Sequence, residues 1–517
     1  MTFQNPILPG FYPDPSICRV NEDFYLVTSS FAYYPGVPIF HSKDLVNWEQ
    51  IGHVLDRPSQ LPLDGQGQSR GIFAPTIRYN NGVFYMITTN VGEGGNFLVT
   101  ATDPAGPWSD PYYLDAPGID PSLFFDDDGK VYYHGTRPAP EGEKYSGNWE
   151  VWLQELDLES MTLVGDSIGL WRGALRDVIW PEGPHIYKVD DYYYLMISEA
   201  GTGHHHAVSI ARSEAITGPY VGNPGNPILT HRHLGRDYPV VNVGHCDLVE
   251  TQNGEWWAVG LASRIYGGYF RNLGRETFLL PVKWEDGWPI MSPGTGKLEM
   301  TYPMPNLPES KILKPSSCDN FDEERLDFKW NFLRTPREEF FSLAERPGYL
   351  SLKLRPERIT DLANPSFVGR RQQHINFSAS TAMEFTPKND NEAAGIVLLQ
   401  SNEFNFNFVY TKNGEESVIR VIKCAGGEEE ILKELPIRAS TLFLKIEAQG
   451  QDYSFWYGES QSDYKSLLEN VDGRILSTDV AGGFVGTELG LYASSNGASS
   501  NNTAYFDWFE YVGILKE

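Results

Sequence analysis

One short pattern recurs five times in the first 270 residues, and it restricts the fold more than any other feature of the chain. It runs Asp14-Pro15-Ser16-Ile17, a polar turn from Arg19 to Asp23, then the apolar run Phe24-Tyr25-Leu26-Val27-Thr28. This reads as a short strand, a hairpin turn and a second strand buried on both faces. The plan returns at Ala74-Pro75-Thr76-Ile77 with Asn80-Asn81-Gly82 and Val83 to Thr88, and at Asp120-Pro121-Ser122-Leu123 with Asp127-Asp128-Gly129 and Lys130 to Tyr133. It returns again at Glu182-Gly183-Pro184-His185-Ile186 with Val189-Asp190-Asp191 and Tyr192 to Ile197. A drifted last copy is His245-Cys246-Asp247-Leu248 with Asn253-Gly254 and Glu255 to Val259.

A spacing of about 45–60 residues is near the size of one four-stranded propeller blade. A blade cannot bury both of its faces alone, so five must stack around an axis and close on themselves. The first strand of every blade then lies nearest the axis, and residues at one place of the repeat converge on a central hollow. Asp14, Asp120, Glu182 and His245 hold roughly equivalent places, so three carboxylates from three blades are expected to meet there. Ala74 in the second copy indicates that the fold itself does not demand an acid at this place.

The chain is too long, at 517 residues, for a single core, and two or three domains are expected. Residues 1–300 read as strand and turn almost throughout, with no sustained helical period. Between Pro289 and Pro315 the density of Pro, Gly and Ser rises and the repeat disappears, which places an interdomain linker at 301–320. From 321 to 517 the strands lengthen and alternate, as in Tyr349 to Leu354, Ala394 to Leu399, Thr441 to Ile446 and Tyr453 to Tyr457. That pattern predicts a two-sheet sandwich of the jelly-roll, concanavalin-like kind. The expected class is therefore all-β: a five-bladed β-propeller followed by a β-sandwich, which either binds sugar or buttresses the propeller.

A formal net charge of −27 argues against nucleic acid or an anionic membrane as partner, because both are held by clustered Lys and Arg. A neutral substrate or a cation suits it better, although solubility alone accounts for an acidic surface. No apolar run approaches the length that crosses a bilayer, and no signal-like segment precedes the first repeat. Cys18, Cys246, Cys318 and Cys424 are scattered without metal-ligand spacing, so four free thiols in a reducing, cytoplasmic compartment are expected.

Carboxylates gathered in one hollow repel one another, differ in pKa and can divide labour between acid and base. Hydrolysis of a glycosidic bond needs that division: one carboxylic acid protonates the departing oxygen while a carboxylate opposite activates water or attacks directly. A single Asp-Pro is a common turn opening. The coincidence of phase between Asp14, Asp120 and Glu182 is what points to chemistry.

Four blocks in order carry a resemblance: Phe11-Tyr12-Pro13-Asp14-Pro15-Ser16, Gly118-Ile119-Asp120-Pro121-Ser122-Leu123, Pro181-Glu182-Gly183-Pro184-His185 and Leu273-Gly274-Arg275-Glu276-Thr277. They resemble the signature blocks of glycoside hydrolase family 43, in its β-xylosidase branch. Phe367 to Gln372 and Ala504 to Phe509 are similar to the accessory sandwich of those enzymes. The resemblance implies an inverting enzyme with Asp14 as general base, Glu182 as general acid, and Asp120 holding Glu182 in position and raising its pKa. It implies that Arg275 contacts the sugar, that Phe31 and Phe73 line its site, and that Phe484 of the sandwich closes the pocket. Phe73 stands where relatives often carry Trp. The chemistry then requires no cofactor; beside His245, relatives hold either a calcium ion on the propeller axis or water alone.

The function so implied is exo-acting release of xylose from the non-reducing end of short β-1,4-xylo-oligosaccharides, with a small oligosaccharide as the partner molecule and a homo-oligomer as the assembly. An α-L-arabinofuranosidase, or an enzyme with both activities, is the nearest alternative. A non-catalytic sugar-binding propeller and an endo-acting arabinanase are more distant ones. Inversion requires a water between Asp14 and the anomeric carbon, hence carboxyl groups roughly 6.5–9.5 Å apart. Two other motifs are read as structural. His204-His205-His206, taken as part of a strand, would point its rings to alternate faces, and Asp126-Asp127-Asp128-Gly129 fits a hairpin turn.

Overall fold

The computed structural model describes residues 1–310, 312 and 316–514. Residues 311 and 313–315 of the expected linker, and 515–517, lie outside the described residues. Five four-stranded antiparallel sheets form from the five repeats, each in simple meander order. Their innermost strands are Ser16–Val20, Thr76–Asn80, Ile119–Phe125, Glu182–Val189 and Val240–Glu250. The fourth sheet carries an additional short strand, Leu229–Thr230, paired to Ala207–Ser213.

Alternation and turn chemistry explain the hairpins. Asp126-Asp127-Asp128-Gly129 makes the expected turn, closed by Asp126 N–H to Lys130 C=O at 2.9 Å and Gly129 N–H to Asp126 C=O at 3.0 Å. The His204-His205-His206 triplet differs from expectation. It lies in a turn ahead of the strand Ala207–Ser213, so the strand argument does not apply to it. His206 is buried, with Nδ1 2.9 Å from the carbonyl oxygen of Asn242 in the strand Val240–Glu250.

The ring is closed by the N-terminal segment. Leu8 bridges Thr277, and the Asn5 side chain exchanges hydrogen bonds with the Leu279 backbone, fastening the start of the chain to the fifth sheet. Thr2–Gln4 also pairs with Thr301–Pro303, so the stretch assigned to the linker begins as a strand on the propeller. On the axis, Asp247 accepts from Ser16 Oγ at 2.7 Å, Arg78 Nη1 at 2.9 Å and Tyr187 Oη at 2.7 Å, joining the first, second, fourth and fifth blades. His185 Nδ1 meets Arg78 Nη2 at 2.9 Å and Ser122 Oγ at 3.2 Å, bringing in the third.

The second domain stacks two antiparallel sheets. One runs Ser366–Arg371, Glu488–Ser494, Ala393–Ser401, Phe404–Asn413, Glu416–Ala425, Glu428–Pro436; the other is centred on Asn376–Glu384, Thr441–Gln449 and Thr503–Gly513. Strict alternation in Thr441–Gln449 puts Leu442, Leu444, Ile446 and Ala448 inside. Each fully buried Leu or Ile there contributes about 1.5–3 kcal/mol. The two domains share one core: Val37, Ile39 and Leu55 of the first blade pack in the same cluster as Phe332, Phe340 and Leu352. Tyr33–Tyr34 of the propeller also pairs with Phe332–Leu333 across the boundary. The four cysteines are unpaired, and among the described residues no helix is long and apolar enough to cross a membrane.

Candidate functional site

Backbone irregularity aims the acids. The innermost strands of the third, fourth and fifth blades are bulged, with register breaks at Ile119/Ser122, Glu182/His185 and Gly244/Asp247. A bulge bends its strand and redirects a side chain. At the bend Asp120 has φ 52°, Gly183 54° and His245 49°, and Asp14 takes the same left-handed value, 54°, ahead of the first strand. The residue equivalent to Asp14 and Asp120 in the fourth blade is thus Gly183. Glu182 stands one residue earlier, at the place of Ile119 and Phe73, so it is not the structural equivalent of Asp14 and Asp120 as the sequence repeat suggests. Glycine is required at the bend because a Cβ on Gly183 would lie 2.9 Å from His245 Cε1.

The three acids nevertheless share one chamber of about 270 Å³, together with Phe31, Phe73, Ala74, Arg275, His245 and Phe484. A larger groove of about 950 Å³ between the domains, lined by Tyr12, Trp48, Phe328 and Arg370 among others, contains none of the three. Chemistry therefore favours the smaller space.

Asp14 is 5% exposed. It accepts Arg275 Nη1 at 2.7 Å, Arg275 Nη2 at 3.3 Å and the Ser29 hydroxyl at 2.6 Å, with His245 Nδ1 at 3.7 Å. Burial alone would raise its pKa, but Arg275, His245 and the Ser29 hydrogen bond outweigh it and hold the carboxyl below its ordinary value. Glu182 is the opposite case. Half-buried, with no hydrogen bond to its carboxyl among the described residues, it is pushed well above the usual carboxylate range by burial and then by the nearby charges of Asp120 and Asp14. Asp120, buried, accepts the Gly183 amide at 2.9 Å and is itself raised, by burial and by Asp14 against the opposing influence of His245. Two carboxyls of opposite protonation preference thus face one space.

Aromatic rings wall this space. Phe31 packs on Phe73 with centroids 5.2 Å apart and lies nearly parallel to Phe484 at 6.1 Å. Arg275 sits 5.7 Å from both Phe31 and Phe484. The family model described as glycosyl hydrolases family 43 matches residues 3–289, over half of the chain. The chain belongs to glycosyl hydrolases family 43.

A second family model, the beta xylosidase C-terminal concanavalin A-like domain, matches residues 318–512. This family 43 chain is 54% identical to a xylosidase/arabinosidase of Butyrivibrio fibrisolvens, covering 98% of each protein. It is 42% identical to a non-reducing end alpha-L-arabinofuranosidase of Bacteroides ovatus, over 99% of this chain and 94% of that one. A solved xylan beta-1,4-xylosidase from Bacillus halodurans matches with a TM-score of 0.93 at 36% identity, covering 98% of this chain and 99% of the other.

Four further residues line the chamber of this family 43 enzyme without having been singled out in the sequence: Trp149, Trp180, Gly201 and Thr202. Trp180 had a signal, since it directly precedes Pro181-Glu182. Trp149 and Thr202 had none, and Ser29, the hydroxyl on Asp14, is inconspicuous in a run of Thr28-Ser29-Ser30. Beside His245 the protein offers a ring nitrogen, so a calcium ion there, with its six to eight oxygen ligands, would be held largely by water. Among the described residues no three His, Cys, Asp or Glu side chains converge on an ion position. The axial carboxylate, Asp247, is already engaged by Arg78, Ser16, Tyr187 and the Ile17 amide.

Proposed function

We propose that this chain is an inverting, exo-acting β-xylosidase that releases xylose from the non-reducing end of short β-1,4-xylo-oligosaccharides. One observation carries the reading: Asp14, paired with Arg275 at 2.7 Å and held below its ordinary pKa, shares one small chamber with Glu182, whose carboxyl has no hydrogen-bond partner among the described residues and is pushed well above its own. Asp14 acts as general base on a water, Glu182 donates its proton to the departing oxygen, and the new C–O bond forms as the glycosidic bond breaks. Asp120 fixes the Gly183 amide beside Glu182 and keeps the acid protonated through its own charge. Arg275 keeps Asp14 ionised and presents its remaining donors to sugar hydroxyls. Phe31, Phe73 and Phe484 offer apolar faces to the C–H surfaces of the ring.

The chemistry asks nothing of a metal, so a chelator should leave kcat unchanged. A net charge of −27 favours a neutral oligosaccharide over nucleic acid or an anionic membrane as the partner. Four unpaired cysteines favour a reducing, cytoplasmic setting. Release of α-xylose as the first product from a β-xyloside, followed by NMR, tests inversion. Asp14→Ala should lower turnover by about 10²–10⁴ while ligand binding persists; retained turnover removes Asp14 from the mechanism. A second reading, α-L-arabinofuranosidase activity at the same site, is favoured by the 42% identical relative of that name. The ratio of kcat/KM for xylobiose and for an aryl arabinofuranoside separates the two.

A further inference from the structure

Phe484 is contributed to the chamber by the sandwich, yet it is 39% exposed and lies on a loop outside both sheets. That loop is tied to the propeller at three points. The Phe484 amide donates to Ser69 Oγ at 2.8 Å, and the Phe484 carbonyl accepts Arg275 Nη2 at 3.4 Å. Just before the loop, Asp479 in the single helical turn Thr478–Ala481 receives the Arg271 amide at 2.9 Å, Nε at 3.1 Å and Nη2 at 2.7 Å. The side chains of Arg271 and Asp479 are 16% and 13% exposed, so solvent screens this pair little. The packing leaves no slack: a Cβ on Gly483 would lie 2.3 Å from Ser69 Oγ, and one on Gly274 would lie 2.8 Å from Gly486 Cα.

Behind Phe484 is a second cavity of about 290 Å³, lined by Arg271, Gly203, Thr478 and Gly483. It shares Trp180, Gly201, Thr202, Arg275 and Phe484 with the catalytic chamber. Phe484 is therefore a partition between two spaces of similar size. We infer that Ser69 and Asp479 are positioning residues that set how many sugar units the site admits, by holding Phe484 between the catalytic chamber and this second cavity. The inference deepens the glycosidase reading and rests on it. With the ties cut, the ring swings away, the two cavities merge, and a chain end longer than one sugar reaches the acids.

The test is product analysis on xylobiose, xylotriose and xylotetraose with Ser69→Ala, Asp479→Asn and the double variant, with kcat and KM measured separately. Ser69→Ala removes one oxygen from a loop and leaves the fold intact, so it serves even where the double variant unfolds. The expected result is a KM for xylobiose raised about ten-fold, the worth of one lost hydrogen bond, with kcat nearly unchanged. Xylobiose should also appear as a direct product from xylotetraose, an outcome that general loosening of the fold does not give. Gly483→Ala, which displaces the same contact from the other side, should reproduce the product pattern. Folded variants that keep the native KM and release xylose alone overturn the inference while leaving the xylosidase reading in place. A native enzyme that releases no pentose from any of these substrates overturns both.

Discussion

Replacing Arg275 with Gln removes the charge that keeps Asp14 ionised, and its consequence can be followed from distance to rate. The guanidinium meets both carboxylate oxygens, at 2.7 and 3.3 Å, with Arg275 7% and Asp14 5% exposed, so the pair is shielded from water. Removing one partner of a buried ion pair costs about 3–5 kcal/mol. Ser29 at 2.6 Å and His245 Nδ1 at 3.7 Å remain, but burial, the largest influence on this carboxyl, favours its neutral form. Asp14 therefore takes up a proton, and a protonated carboxyl cannot accept one from water. A cost of about 3 kcal/mol borne by the base corresponds to a loss on the order of 10² in kcat/KM near neutrality. The sign follows from the direction of the shift. In the native enzyme the pKa of Asp14 is lowered, so its contribution to activity and stability is complete above the ordinary carboxylate range. It is lost only as pH falls through the lower folded value. In the Gln variant the acid limb of the kcat/KM profile on an aryl xyloside should move to higher pH. Arg275→Lys, which keeps the charge but loses the fork, should fall between. An acid limb for Arg275→Gln that superimposes on the native one would refute the argument.

Three further outcomes are expected. In Glu182→Ala the alkaline limb, which belongs to an acid whose raised pKa keeps it protonated until pH climbs through that value, should vanish; xylobiose hydrolysis should fall by about 10²–10⁴, and hydrolysis of an aryl xyloside with an acidic phenol much less. Gly183→Ala places a side chain at φ 54° and 2.9 Å from His245 Cε1, and calorimetry should show a loss of about 1–2 kcal/mol with activity reduced. Arg78→Met leaves the fully buried Asp247 without its cation, and denaturant unfolding should register about 3–5 kcal/mol. Because the folded pKa of Asp247 is lowered, by Arg78 and His185 against burial, that stabilisation is full above the ordinary carboxylate range and lost only in stronger acid. The variant should accordingly unfold at higher pH than the native chain, as followed by circular dichroism.

The repeat at Asp14, Ala74, Asp120, Glu182 and His245 was sufficient to read the blades, because strand alternation and turn residues are local properties of a few neighbouring side chains. The sandwich was legible for the same reason, in runs such as Thr441 to Ile446. The place of Glu182 was legible too: the strands of Asp120 and Glu182 break register over the same three residues, and Asp120-Pro121 lines up with Gly183-Pro184, which sets Glu182 one residue earlier. The turn of the His204-His205-His206 triplet was not, because His206 is held by the Asn242 carbonyl of another strand. By itself, then, the sequence determined the fold class, the blade count and which acids converge. Tertiary structure alone decided the direction in which each carboxyl is shifted. That depends on Arg275, 261 residues from Asp14 in the chain and 2.7 Å from it in space, and on the burial of Glu182 beside Asp120. A protonation state is set by distance and burial, and neither exists until the ring and the sandwich have closed on each other.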